Sequence, residues 1–124
     1  MTADLFEHDA QEPWREPIQD GLMVLRNFAT AQEKDLLHGI EIVSSASPFR
    51  HMITPGGHAM SAAMTCCGPL GWVTDRKGYR YQRHDPESGQ PWPAMPDAFR
   101  QLARSAAAEG GFPDFEPDAC LINR

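Results

Sequence analysis

Apolar residues change their spacing several times along the chain, and each change marks an element. Residues 1–20 set acids around Pro13 and Pro17 with few apolar side chains, which predicts an extended N-terminal arm anchored, if at all, by Trp14 and Ile18. Residues 21–28 form a short apolar run of strand length. Thr30-Ala31-Gln32-Glu33 then has capping-box spacing, in which the Thr30 hydroxyl and the Glu33 carboxylate each satisfy a free backbone donor, so a helix is expected to start there. Leu36, Leu37, Ile40 and Val43 recur at helical spacing as one apolar stripe, and Pro48 stops any continuation.

From residue 49 to 81 the period shortens. Thr54-Pro55-Gly56-Gly57 reads as a turn, and Met60, Ala62 and Met64 alternate with Ser61, Ala63 and Thr65 as in a two-sided strand. Gly68-Pro69 and Gly71 break it. Gly78-Tyr79-Arg80-Tyr81-Gln82 reads as its partner strand, with both tyrosines on one face and Arg80 on the other. The proline-rich passage 91–96 leads into a second helix bearing Phe99, Leu102, Ala103 and Ala106, closed by Gly110-Gly111. After a loop over residues 112–118, Ala119-Cys120-Leu121-Ile122 opens another apolar strand. This order of elements suggests an α+β fold in which two helices cover a sheet.

At 124 residues the chain fits one domain. It has no apolar run of about 18 residues, and its first 20 residues carry six acids and one base, so neither a membrane span nor a secretory signal is expected. Cys66, Cys67 and Cys120 are odd in number with two adjacent, a poor disulfide framework without a C-x-x-C; a reducing cytoplasm is the natural setting.

The net charge of -6 argues against a polyanionic partner, but it hides a gradient. Residues 49–84 hold Arg50, Arg76, Lys77, Arg80 and Arg83 against Asp75 alone, whereas both flanks are acidic. A solvated hairpin would account for that. The same stretch also interleaves Trp72, Tyr79 and Tyr81 with its cations, and flat rings beside phosphate-binding groups make a platform for unpaired bases. A small aromatic core with arginines reaching outward explains the pattern equally well.

Other chemistry is sparse. The histidines at 8, 38, 51, 58 and 84 form no H-x-D, H-x-E or H-E-x-x-H; His51 and His58 could meet across the Pro55 turn, but without a carboxylate they make a weak metal claim. There is no G-x-S-x-G, Walker A or G-x-G-x-x-G pattern, and Cys66-Cys67 reads as two small, partly buried strand residues.

Several separated segments nevertheless agree in order and spacing with one family. Residues 47–57 (SPFRHMITPGG) and the following MSAAMTCCGPLGW, then RKGYRY (76–81), PWPAMP (91–96) and FPDFEPDACLINR (112–124), resemble the AlkB-type nucleic-acid dioxygenases. The resemblance spans the chain from about residue 13. It implies the N-terminal part of a double-stranded β-helix (jelly roll) enzyme, with residues 21–124 an incomplete dioxygenase domain and residues of about 48–85 a nucleotide-recognition lid. The implied activity is oxidative demethylation of alkylated bases with Fe(II), 2-oxoglutarate and oxygen, releasing formaldehyde. The implied partners are single- or double-stranded alkylated DNA, with RNA open, for a cytoplasmic monomer away from membranes.

Carried over by motif, Trp72 would stack on the damaged base, Met64 would touch it, and Tyr79, Arg80 and Tyr81 would line the groove, with Thr54 and Arg76 on the phosphate side. Asn123 and Arg124 match the start of the family's N-R-Y segment, whose Asn contacts 2-oxoglutarate, and the resemblance puts both residues on the 2-oxoglutarate side. The family's H-x-D, distal His and 2-oxoglutarate-clamping arginines lie beyond position 124, so no catalytic or metal-ligating residue is expected in this chain, which would be inactive as it stands. Cys66 stands where the family usually has Asn. The alternatives are a non-catalytic single-stranded nucleic-acid-binding remnant and a fragment that fails to fold for want of its remaining strands.

Overall fold

A computed structural model of the chain describes residues 12–124. The part of the expected arm at residues 1–11, with His8, lies outside the described residues. The rest of that arm needs correcting: β1 (Trp14–Gln19) pairs antiparallel with β2 (Leu22–Arg26) as a hairpin. The register slips between Pro17 and Gln19. Proline has no N–H to give the ladder, so an irregularity beside Pro17 is where such a strand tolerates it. Trp14 and Ile18 stay half-exposed and are weak anchors; Arg26 instead holds the hairpin, reaching Glu16 at 2.8 Å and lying over the Trp14 ring.

A 3₁₀ turn at Thr30–Gln32 runs into α1 (Glu33–Ala46). The helix begins where expected but not by the expected device, because neither helix start has a side-chain cap hydrogen bond. Glu33 and Asp35 in the first turn supply favourable charge at that end. Gly39 and Val43 are buried, whereas Leu37 is 56% exposed and drops out of the predicted stripe. Ser47 turns extended after Ala46, as Pro48 requires of the chain before it. The second helix, α2 (Asp97–Glu109), starts at Pro96 and ends at Gly110, and its Phe99 reaches α1 at Gly39.

Between the helices lie β3 (Met64–Cys67), β4 (Gly71–Asp75) and β5 (Gly78–Gln82), with β6 (Cys120–Asn123) following α2. They form two further antiparallel pairs, β3 with β6 and β4 with β5. Two expectations fail here. The strand expected from Met60 starts only at Met64 and is buried at every residue, so it has no solvent face to produce alternation. Its partner is the distant β6, while Gly78–Gln82 pairs with a strand at Gly71–Asp75 that the glycines had disguised as a break.

Gly71 is a glycine for a packing reason: a Cβ there would lie 2.2 Å from Cε2 of Trp92. The indole fills that space and donates its N–H to the Gln82 carbonyl at 3.1 Å. Trp92 joins Met52, Met64, Cys66 and Val73 in the core, which backs the β4–β5 ribbon.

Candidate nucleic-acid interface

Strand alternation sorts the ribbon into two faces. Trp72 stands opposite Tyr81, and Thr74 opposite Tyr79, on one face; Val73 stands opposite Arg80 on the other. Trp72 and Tyr79 stack diagonally, with ring centroids 5.7 Å apart and planes 25° apart. Both tyrosines are 62% exposed, and Trp72 is half-buried, its inner side against the core. Trp72, Tyr81, Ala119 and Leu121 line an open hollow of about 230 Å³.

Arg80 does not share that face. Its guanidinium holds both carboxylate oxygens of Asp75, at 2.9 and 2.8 Å, and also donates to Gln82. The hydrogen bonds from Arg80 and from the Lys77 backbone lower the Asp75 carboxyl to about 2. Arg80, expected to line a groove with its tyrosine neighbours, is here part of an ion pair within the ribbon.

The Thr54 turn meets the ribbon's end. Gly57 donates its N–H to the Thr54 carbonyl at 2.8 Å, and the His58 N–H donates to Thr54 Oγ1 at 3.2 Å. Gly57 has φ +87°, and the Arg76 guanidinium packs against it so closely that a Cβ would sit 2.8 Å from Nη2. Thr54 and Arg76 thus lie at one turn although 22 positions apart in the chain. Among the described residues neither Arg76 nor Arg83 has an ion pair, which leaves both cations available.

The β3–β6 ladder brings two other expected residues together. Met64 is the register partner of Asn123, and Cys66 that of Leu121, on one face. Met64 is buried in the core beneath the aromatic ribbon, while Asn123 is exposed. Arg124, one residue on, exchanges backbone hydrogen bonds with Ala63 and lays its guanidinium 4.6 Å from the centroid of Phe49. Successive extended residues point to opposite sides, so Asn123 and Arg124 do not converge on one point.

Local pattern missed a buried cluster beneath this surface. Asp85 accepts from Ser47 Oγ at 2.5 Å, from both Arg50 terminal nitrogens at 2.7 and 2.8 Å, and from the Glu87 N–H at 2.9 Å. Arg50 also lies over the Trp92 ring, 5.4 Å from its centroid. Burial works against ionisation of Asp85, but the bonds from Arg50 and Ser47 prevail and lower it to about 2. Asp85 lies 35 positions from Arg50, beyond the reach of any periodicity; the one available signal was an arginine among apolar neighbours before the turn.

Among the described residues no three His, Cys, Asp or Glu side chains stand close enough to hold a metal ion. His51 faces the Met60 carbonyl through Nδ1 at 2.9 Å. Among the same residues no helix is long and apolar enough to cross a membrane.

Comparison with known proteins gives a consistent result. The profile of the 2OG-Fe(II) oxygenase superfamily matches residues 21–124. The chain is 55% identical over 121 residues to the alpha-ketoglutarate-dependent dioxygenase AlkB of Escherichia coli (strain K12), a match covering 98% of this chain and 55% of that protein. It is 54% identical to the Salmonella typhimurium protein of the same name, with the same coverage. Against the AlkB homolog of Caulobacter vibrioides it is 40% identical over 91 residues, which cover 73% of this chain and 40% of that protein. The chain spans about half the length of the first two relatives.

Proposed function

The chain belongs to the 2OG-Fe(II) oxygenase superfamily, among its AlkB-type members, and from that membership we propose that the protein serves oxidative demethylation of alkylated bases in DNA, with RNA open as a second substrate. In this jelly-roll family oxygen is the oxidant, which iron(II) would activate while 2-oxoglutarate is oxidised alongside the base. The described residues form no iron site, so no step through the metal rests on them. What this chain brings is grip on the nucleic acid.

In this reading residues of about 48–85 form the lid over a core that the two helices cover, and a base flipped out of its stack lies on Trp72. Tyr79 extends the stacking surface, Tyr81 closes the hollow, and Met64 supports it from below. Arg76, beside the Thr54 turn, takes the phosphate, and Arg80 keeps the ribbon rigid through Asp75. Asn123 offers its amide to 2-oxoglutarate, with Arg124 beside it in the chain. Flipping costs a few kcal/mol, less for a damaged or single-stranded base, and stacking on an aromatic ring returns about 1–3 kcal/mol. The enzyme is read as a cytoplasmic monomer.

The observation that carries this is the stack of half-buried Trp72 on exposed Tyr79, on a ribbon whose connecting turn carries Arg76, a guanidinium with no ion pair among the described residues. The test is titration of a labelled single-stranded oligonucleotide carrying a methylated base, read by fluorescence anisotropy. Trp72→Ala is expected to weaken binding about 5- to 150-fold, the equivalent of that stacking energy, with unfolding still cooperative although the lost core contact lowers the urea midpoint. Unchanged affinity, or loss of cooperative unfolding, would make Trp72 a core residue and end the proposal.

A further inference from the structure

We propose that Cys67 and Cys120 are a dithiol site that a hydroperoxide converts into an intramolecular disulfide, pinning β6 to β3 beside the aromatic hollow. This goes beyond the demethylation reading and does not depend on it.

The ladder supplies the geometry. Cys67 and Cys120 are direct register partners, so their side chains leave the same face of the β3–β6 pair. Ala63 and Arg124, at the other end of that ladder, exchange both backbone hydrogen bonds. Antiparallel pairs alternate between hydrogen-bonded and open, so counting along the register makes Cys67 and Cys120 another hydrogen-bonded pair. Cα atoms in such pairs lie about 5.5 Å apart, within the roughly 4.4–6.8 Å that a disulfide spans. Cys66 is excluded by the same alternation: it faces the other way, and its thiol donates to the Trp72 carbonyl at 3.4 Å.

The three thiols differ in chemistry as well as direction. The side-chain interaction between the two thiols lowers Cys120 and raises Cys67. Burial pushes Cys66 up to about 11. Cys120 is partly exposed, and Cys67 and Cys66 are fully buried. A small oxidant therefore reaches the partly exposed Cys120 sulfur first, with the Cys67 thiol in register behind it, the arrangement of an attacking and a resolving cysteine.

The reaction balances in two steps. The Cys120 thiolate attacks one oxygen of hydrogen peroxide, the O–O bond breaks, and hydroxide departs to leave a sulfenic acid. The Cys67 sulfur then attacks the Cys120 sulfur, the S–O bond breaks, and the oxygen leaves as water with the Cys67 proton. The hydroxide takes up the proton that Cys120 had released. Each sulfur gives up one electron, and peroxide becomes two waters. A dithiol reductant reverses the outcome by exchange.

The test treats the 124-residue chain with hydrogen peroxide, quenches in acid, and reads intact mass and the cross-linked peptide. Loss of two hydrogens is expected in the native chain and in Cys66→Ser, reversed by dithiothreitol, with cross-links through Cys67 exceeding those through Cys66 by about tenfold or more. Cys67→Ser is expected to accumulate a sulfenic acid at Cys120 that a 1,3-dione traps, and Cys120→Ser to form no disulfide. Mapping of the native cross-link needs no variant to fold. Cross-links through Cys66 as often as Cys67, dimers between chains in place of the internal bond, or three thiols still titratable after excess peroxide would each overturn the proposal.

Discussion

Replacing Asp85 by Asn tests the buried cluster under the ribbon. Asp85 is 2% exposed and Arg50 is 9% exposed. The substitution leaves a buried guanidinium facing a neutral amide, one of whose oxygens has become an N–H₂ pointed at donors. Glu87 cannot substitute for the lost charge, since it stands 3.5 Å from Arg50 and is 58% exposed. Two routes give the cost. Breaking a buried pair by removing one partner typically costs about 3–5 kcal/mol. The carboxyl is held at about 2 against an ordinary 3.8, a difference that corresponds to roughly 2 kcal/mol of preferential binding to the charged form. Asn keeps one acceptor oxygen, so a loss of about 3 kcal/mol is expected. With a urea slope of about 1.5 kcal/mol/M for a chain of this size, the unfolding midpoint should fall by roughly 2 M without a change in slope. The double replacement Arg50→Met with Asp85→Leu removes both charges and should recover most of the loss. A midpoint for Asp85→Asn within about 0.5 kcal/mol of the native chain, or a double variant no better than the single, would refute the reasoning.

The same carboxylate predicts a pH dependence. Its folded pKa is depressed, so its contribution is complete above the ordinary value near 3.8 and drains away as pH falls toward 2; urea midpoints from pH 5 to 2 should drop more steeply for the native chain than for Asp85→Asn. Arg76→Gln should leave stability within about 0.5 kcal/mol but reduce the slope of log K against log salt for a single-stranded oligonucleotide by about 0.7, the share of one phosphate contact. Gly71→Ala drives a methyl into the Trp92 ring and should cost about 1–3 kcal/mol by thermal unfolding, part of it regained when Trp92→Leu makes room.

Local signals located the elements that punctuation and period specify. Proline at 96 and glycine at 110 bracketed α2, and the alternation of Tyr79, Arg80 and Tyr81 survived intact because β5 has one exposed face. Where residues are buried on both sides, as in β3, alternation vanishes and so did the strand's start. β4 was hidden because Gly71 reads as a breaker until Trp92, 21 positions on, is known to fill its place. The pairing of β3 with β6, and the meeting of Ser47, Arg50 and Asp85, depend on contacts across tens of residues that no spacing rule encodes. Resemblance in motifs supplied residue roles that period and charge alone left balanced between a base platform and a small core.

The most direct measurement exchanges the matched segment of the Escherichia coli relative for this chain and counts formaldehyde released from a methylated single-stranded oligonucleotide with iron(II) and 2-oxoglutarate present. Turnover by the chimera is expected, with kcat/KM reduced about 5- to 150-fold by Trp72→Ala, the equivalent of one lost stacking contact. A folded chimera that binds the oligonucleotide but releases no formaldehyde, or one whose turnover ignores Trp72, would contradict the assignment of this chain as the nucleic-acid-gripping part of an alkylation-repair dioxygenase.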